Sequence, residues 1–149
     1  MKKKAIIVSI KGHKLSFKEK LLLSQEKPWG LILFKRNIKS IIQIKKLIKE
    51  IKNKTKDKKF PILIDEEGLN VSRLKNIFSH KISANFFGNL YEKDKDFTIS
   101  LYKEYLKSLC NQLKKIGINI NTTPVLDVLR ESTHSIIGNR SFSKKKDIV

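Results

Sequence analysis

Three features of the 149-residue chain predict an α/β fold of parallel strands alternating with helices. Short apolar runs without alternation recur along it, as strands buried on both faces require. Between them, apolar residues return every three or four positions, the spacing of amphipathic helices. The loop after the first strand, Lys11-Gly12-His13-Lys14-Leu15, has no glycine-rich phosphate cradle. An open nucleotide-binding sheet carries its cradle there, so the pattern favours a (β/α)8 TIM barrel over a doubly wound sheet. A barrel takes about 250 residues. Residues 1–149 are therefore expected to form a single partial domain, about half of such a barrel.

The first strand is expected at Ala5–Ile10 (AIIVSI). Ser16, with Glu19 three residues on, makes a capping box that opens a helix over Phe17–Leu23. Gly30–Phe34 (GLILF) reads as the second strand, with Trp29 packing at its entry. A helix over Ile38–Lys52 follows, with Ile41, Ile44, Leu47, Ile48 and Ile51 on one face and Lys45, Lys46, Lys49 and Glu50 on the other. The charged connection Lys52–Lys59 leads into a third strand at Pro61–Ile64. One further helix is expected before a long one over Lys95–Ile116, where Tyr102, Tyr105, Leu106, Leu109, Leu113 and Ile116 recur at helical spacing and Gly117 supplies the stop. Cys110 is expected on that helix's apolar face as a small buried hydrophobe. The fourth strand is placed from Ile118 to about Val128.

Composition narrows the function classes. The net charge is +19, from 33 Lys and Arg against 14 Asp and Glu, but 29 of the cations are Lys and only four are Arg. Arg is the residue that grips phosphate and guanine with a planar fork, and the chain is also rich in Ile and Asn, residues of A- and T-rich codons. Lysine-covered solvated faces explain the charge, and nucleic-acid binding is not expected. A single Cys excludes a disulfide framework and a multi-cysteine zinc site. No HExxH, CxxC, GxSxG or EF-hand pattern occurs, so no metal and no cofactor are expected. No apolar run approaches the ~18 residues of a transmembrane helix, and the apolar stretch of MKKKAIIVSI ends after six residues, short of a secretory segment. A cytoplasmic protein without membrane contact is the expectation.

In either α/β architecture, functional groups gather at the C-terminal ends of strands. Those ends carry Lys35-Arg36-Asn37, then Asp65-Glu66-Glu67-Gly68, then Asp127, with Ile137–Phe142 beyond. Carboxylates and guanidiniums at these places either bind a ligand or pair with one another around the mouth.

Four segments, GLILFKRN (30–37), ILIDEEGLNVSR (62–73), PVLDV (124–128) and IIGNRSF (136–142), carry a family likeness. They resemble the N-terminal barrel of glycoside hydrolase family 3, most of all its bacterial cytoplasmic β-N-acetylhexosaminidases. The resemblance implies a retaining hydrolase that releases N-acetylglucosamine from peptidoglycan-derived fragments. In the family's D-Q-E-G-G-R-V-x-R segment the first Asp and last Arg contact the sugar, which implies Asp65 and Arg73 here. The Arg of I-G-x-R-S-F implies Arg140. Leu69 and Asn70 stand where the family has Gly and Arg, so a strained or close-packed backbone and an unpartnered carboxylate are expected in that loop. The family's acid/base His follows a K-H-x-P-G-H-G segment and its nucleophile is an Asp; both are expected beyond Val149, leaving no catalytic residue within the chain. His13, His80 and His134 read as loop histidines. Two alternatives stand beside this reading: a non-catalytic half-barrel that binds or assembles, and, on charge alone, a nucleic-acid-binding protein. A half-barrel leaves its first and fourth strands as open edges, which need the missing half or self-association to cover them.

Overall fold

The computed structural model describes residues 3–78 and 81–149. The elements run β1 (Lys4–Val8), α1 (Phe17–Gln25), β2 (Pro28–Leu33), α2 (Ile41–Thr55), β3 (Ile62–Ile64), α3 (Ala84–Tyr91), α4 (Lys95–Ile116) and β4 (Ile120–Asn121), with short 3-10 turns at Lys35–Asn37 and Gly138–Arg140. The chain packs as two compact units.

The first unit comprises the described residues of Met1–Asp65, Arg73–Ser79 and Leu113–Asn121. It holds a four-stranded sheet in the order β1-β2-β3-β4, every pair parallel. Strands that pair in strict chain order, without a reversal, make the wall of a barrel; an open doubly wound sheet reverses its order part-way. Leu31, Leu33, Ile62 and Ile64 are wholly buried in the two central strands, and Ile44, Leu47, Ile48 and Ile51 form the buried face of α2. Ser16 accepts from the Glu19 N–H while the Glu19 carboxylate accepts from the Ser16 N–H at 2.7 Å, so the capping box opens α1 as expected. The helix α2 starts three residues later than expected, because Ser40 takes the cap and leaves Ile38 outside it.

Two strands depart from expectation. The four residues Lys4–Ile7 of β1 are exposed, since its only partner among the described strands is β2; β1 was expected to be buried on both faces. The fourth strand shrinks from the expected Ile118–Val128 to Ile120–Asn121. At its start the Asn119 side chain, not the ladder, accepts the Ile62 N–H at 2.7 Å. Beyond it Pro124 has no N–H to give a neighbour. Trp29 lies inside β2 and is 42% exposed. Cys110 is exposed, not buried: the face of α4 that turns inward is Leu109, Leu113 and Ile116, and Cys110 lies one residue off it.

The second unit comprises the described residues of Glu66–Ser72, His80–Gln112 and Thr122–Val149. Its centre is a cluster of rings, with Phe87 4.7 Å from Tyr102 and 5.2 Å from Tyr105, and Tyr102 5.5 Å from Phe142, mostly edge-on. Gly88 of α3 lies against the main chain of Phe142: a Cβ there would come 1.8 Å from the Phe142 carbonyl oxygen. Alanine is worth about 1 kcal/mol over glycine within a helix, but this overlap is with backbone and cannot be relieved by a rotamer change. Gly88→Ala is therefore expected to destabilise by about 2 kcal/mol or more, seen as a lowered urea midpoint with loss of near-ultraviolet tyrosine ellipticity.

Candidate functional site

In the first unit Asp65 is the residue that follows β3. Arg73 Nη2 donates to Asp65 Oδ2 at 3.0 Å, and the two side chains are 29% and 21% exposed. The two residues implied as sugar contacts, eight residues apart in sequence, pair with one another. Neither is sealed from solvent, so a solute reaching this strand end meets an oriented carboxylate beside a guanidinium fork.

In the second unit Arg140 meets Glu67. Its Nε and Nη2 donate to the two carboxylate oxygens, each at 2.8 Å, in a fork-to-fork pair. Sequence reasoning named Arg140 but not its partner; the signal was an acidic residue two positions after Asp65. Glu66, between them, is fully buried. The loop is tied by the Glu67 and Gly68 N–H groups, which both donate to the Val71 carbonyl, and by Leu69 N–H, which donates to the Ile82 carbonyl.

The expected cost of Leu69 does not arise. The glycine the loop needs is Gly68, with φ of 145° and no room for a side chain: a Cβ would lie 2.4 Å from the Ile82 carbonyl oxygen. Among the described residues the non-glycine positions with positive φ are Lys27 and Lys56, and Leu69 is half exposed at its place in the loop. Asn70, standing where the family has Arg, donates its amide to the Asn139 side chain. Glu67 keeps a cation all the same, because Arg140 supplies one.

Glu67, Asn70, Tyr102, Tyr105, Asn139 and Arg140 share the lining of one cleft in this unit. Burial pushes the Tyr102 phenol up to about 12. Burial does the same to Tyr105, about 12, with the neighbouring Tyr102 and Glu66 adding to it. Sequence periodicity marked both tyrosines only as a helix face. His13 and His134 are exposed; His134 Nδ1 accepts from the Ile136 N–H at 3.1 Å. His80 lies outside the described residues. No described helix is long and apolar enough to cross a membrane. Among the described residues no group of three or more His, Cys, Asp and Glu could hold a metal ion.

Residues 2–149 match the glycosyl hydrolase family 3 N terminal domain. This chain belongs to glycosyl hydrolase family 3. It is 32% identical over 145 residues to a beta-hexosaminidase of Neisseria meningitidis and 31% identical over 144 to one of Chromobacterium violaceum, in each case across 97% of this chain. The family 3 chain spans 40% of the length of each of these curated relatives. Among solved structures, native NagZ from Neisseria gonorrhoeae superposes with a TM-score of 0.88 at 30% identity, over 98% of this chain and 43% of that one. A family 3 beta-N-acetylglucosaminidase from a Paenibacillus species superposes with a TM-score of 0.77 at 25% identity. The fold is thus the parallel α/β half-barrel read from the sequence.

Two measurements check the loop. Gly68→Ala is expected to destabilise by about 2–4 kcal/mol, from strain plus overlap. Leu69→Gly, which would stabilise if Leu69 were strained, is expected to destabilise by about 0.5–1 kcal/mol through unfolded-state entropy. Both are read from chemical denaturation. A spectrophotometric alkaline titration is expected to show Tyr102 and Tyr105 ionising near 12. Their folded values lie above the unfolded one near 10, so the unfolded chain loses these protons first. Their contribution to stability is complete below pH 10 and is lost as pH rises from there through 12.

Proposed function

We propose that this chain is the sugar-binding half of a retaining β-N-acetylhexosaminidase acting on terminal N-acetylglucosamine of peptidoglycan-derived fragments. The observation that carries the reading is the Asp65–Arg73 pair at the C-terminal end of β3, charged, oriented and partly open to solvent. An ionised Asp65 accepts hydrogen bonds from neighbouring sugar hydroxyls, while Arg73 donates to hydroxyl oxygens in a fixed fork. Arg140, held by Glu67, is a further donor of the same kind in the second unit. Sites built from such groups discriminate against analogues lacking a hydroxyl, because the protein group is then left unsatisfied. The beta-hexosaminidase names of the relatives support the reaction class. The NagZ from Neisseria gonorrhoeae has been solved in complex with N-trifluoroacetyl-D-glucosamine, which supports an amino sugar as ligand.

Retaining hydrolysis needs an acid/base and a nucleophile on either side of the anomeric carbon, about 5–5.5 Å apart. We assign both, the His and the Asp, to sequence outside residues 1–149, and we take these residues as one partial domain. The open edge of β1 is then covered by the rest of the barrel or by self-association. A cytoplasmic setting is part of the same proposal, supported by the single, exposed thiol of Cys110.

The test is a titration of the isotopically labelled 149-residue chain with N-acetylglucosamine, followed at the arginine Nε–H resonances. The Arg73 and Arg140 signals are expected to move, with affinity falling about tenfold or more in Asp65→Asn. A chromogenic N-acetyl-β-glucosaminide is expected to stay intact. Unmoved arginine signals would overturn sugar binding. Turnover that disappears in Asp65→Ala would overturn the assignment of the catalytic pair to sequence outside the chain.

A further inference from the structure

Phe34 is the first residue after β2 and is half-buried in the first unit. Its backbone is fixed from below: the Phe34 N–H donates to Asn37 Oδ1 at 2.9 Å. Asn37, wholly buried, donates its amide to the Ile10 and Gly12 carbonyls at 3.0 Å each. Two guanidiniums then lie over the one Phe34 ring. Arg36 Cζ is 4.5 Å from the ring centroid, and Arg73 Cζ is 5.9 Å from it. Arg36 is anchored independently, its Nε donating to the Ile10 carbonyl at 3.1 Å and its Nη2 to Ser9 Oγ at 3.2 Å. Arg73 is the guanidinium that also donates to Asp65.

We propose that Phe34 is the positioning residue for Arg73, its ring holding the guanidinium at the place from which it faces both Asp65 and an incoming sugar. An arginine side chain has about four free torsions, and each must be fixed when a ligand binds. A ring face within about 6 Å attracts the guanidinium electrostatically and fixes it beforehand. The ring itself cannot drift, because the Asn37 clamp sets the backbone and Arg36 lies against it from a fixed anchor. Arg36, in turn, is committed to the ring and to the main chain at the end of β1. It is a support for Phe34, not a second sugar ligand. The role in sugar binding rests on the reading of Asp65 and Arg73 as sugar ligands; the placement of Arg73 by the ring does not.

The experiment separates the two. With four arginines in the chain, the arginine Nε–H spectrum is simple to assign. In the wild-type chain the Arg36 and Arg73 Hε signals are expected upfield of that of exposed Arg130, shifted by the ring current of Phe34. Phe34→Leu, which keeps an apolar side chain at a half-buried position, is expected to move the Arg73 signal back toward that of Arg130 and to weaken N-acetylglucosamine binding about fivefold. Phe34→Tyr restores a ring and is expected to restore both the shift and the affinity, which a merely space-filling role would not require. An Arg73 signal without an upfield shift in the wild type, or one that Phe34→Leu leaves unmoved, overturns the positioning. Affinity unchanged in Phe34→Leu while the Arg73 signal moves overturns its relevance to binding. Absence of sugar binding by the wild type, with the Arg73 shift present, overturns the sugar reading of the site and leaves Phe34 as the residue that places Arg73.

Discussion

Leu33 pairs with Ile64 across β2 and β3, and the next residue on each strand is Phe34 and Asp65. That register delivers a ring and a carboxylate to the same end of the sheet. A slip of β3 by one residue would turn Ile62 and Ile64 away from the face they share with Leu31 and Leu33 and would carry Asp65 past Phe34. The close approach that fixes the register is at Gly30, where a Cβ would lie 3.0 Å from the Pro61 Cβ. Burial of the central strands and placement of the charged pair are therefore one constraint. The core holds the strands, and the strands hold the first residues beyond them.

The ion pairs at these ends are better understood as instruments of position than of stability. Solvent-exposed pairs typically contribute about 0–1 kcal/mol, and those that are partly desolvated lose much of their Coulomb gain to dehydration. What Arg73 gives Asp65, and Glu67 gives Arg140, is direction. A fork bound at two 2.8 Å contacts cannot rotate away from the groups it faces. The family position that Asn70 occupies shows the same economy. The cation is gone from that residue, but Glu67 already holds another, and Asn70 bonds instead to Asn139.

How much of this was legible in the sequence depended on how local each signal was. The Ser16 capping box, the extent of α4 and, to within one residue, β3 are written in runs and spacings of a few residues and form where expected, while β2 forms from Pro28, two residues early, and ends at Leu33. The run from Ile118 to Val128 overstates β4 because two local features interrupt it: an Asn119 side chain that replaces the ladder, and Pro124 without an N–H. Exposure of β1 depends on what pairs with its other edge, which the residues of β1 do not encode. The loop after β3 was misread at one position. The need for a glycine was placed at Leu69 from the family pattern, whereas only the path of the chain past Ile82 shows that Gly68 carries it. Asp65 and Arg140 stand out from their places at or beyond strand ends and from the family motif together, and Arg73 from the motif alone, while Phe34 does not, because an aromatic at a strand end looks like packing until two guanidiniums are found over it.

The composition bears on the same point. A chain with 29 Lys and four Arg places lysine wherever a solvated charge will do. Three of its four arginines do something an ammonium cannot. Arg36 sets its guanidinium carbon 4.5 Å from the Phe34 ring centroid while donating to a carbonyl and a hydroxyl. Arg73 joins the same ring to Asp65. Arg140 spans both oxygens of Glu67. A lysine at any of these places would keep the charge and lose the plane and the fork, so the exchange is not conservative there. In so lysine-rich a background, arginine marks where geometry matters as well as charge, and three of its four positions fall at the ends of β2 and β3 or on the Glu67 loop's partner. The large positive charge is carried by lysine, and three of the few arginines are held in specific contacts with a ring or a carboxylate.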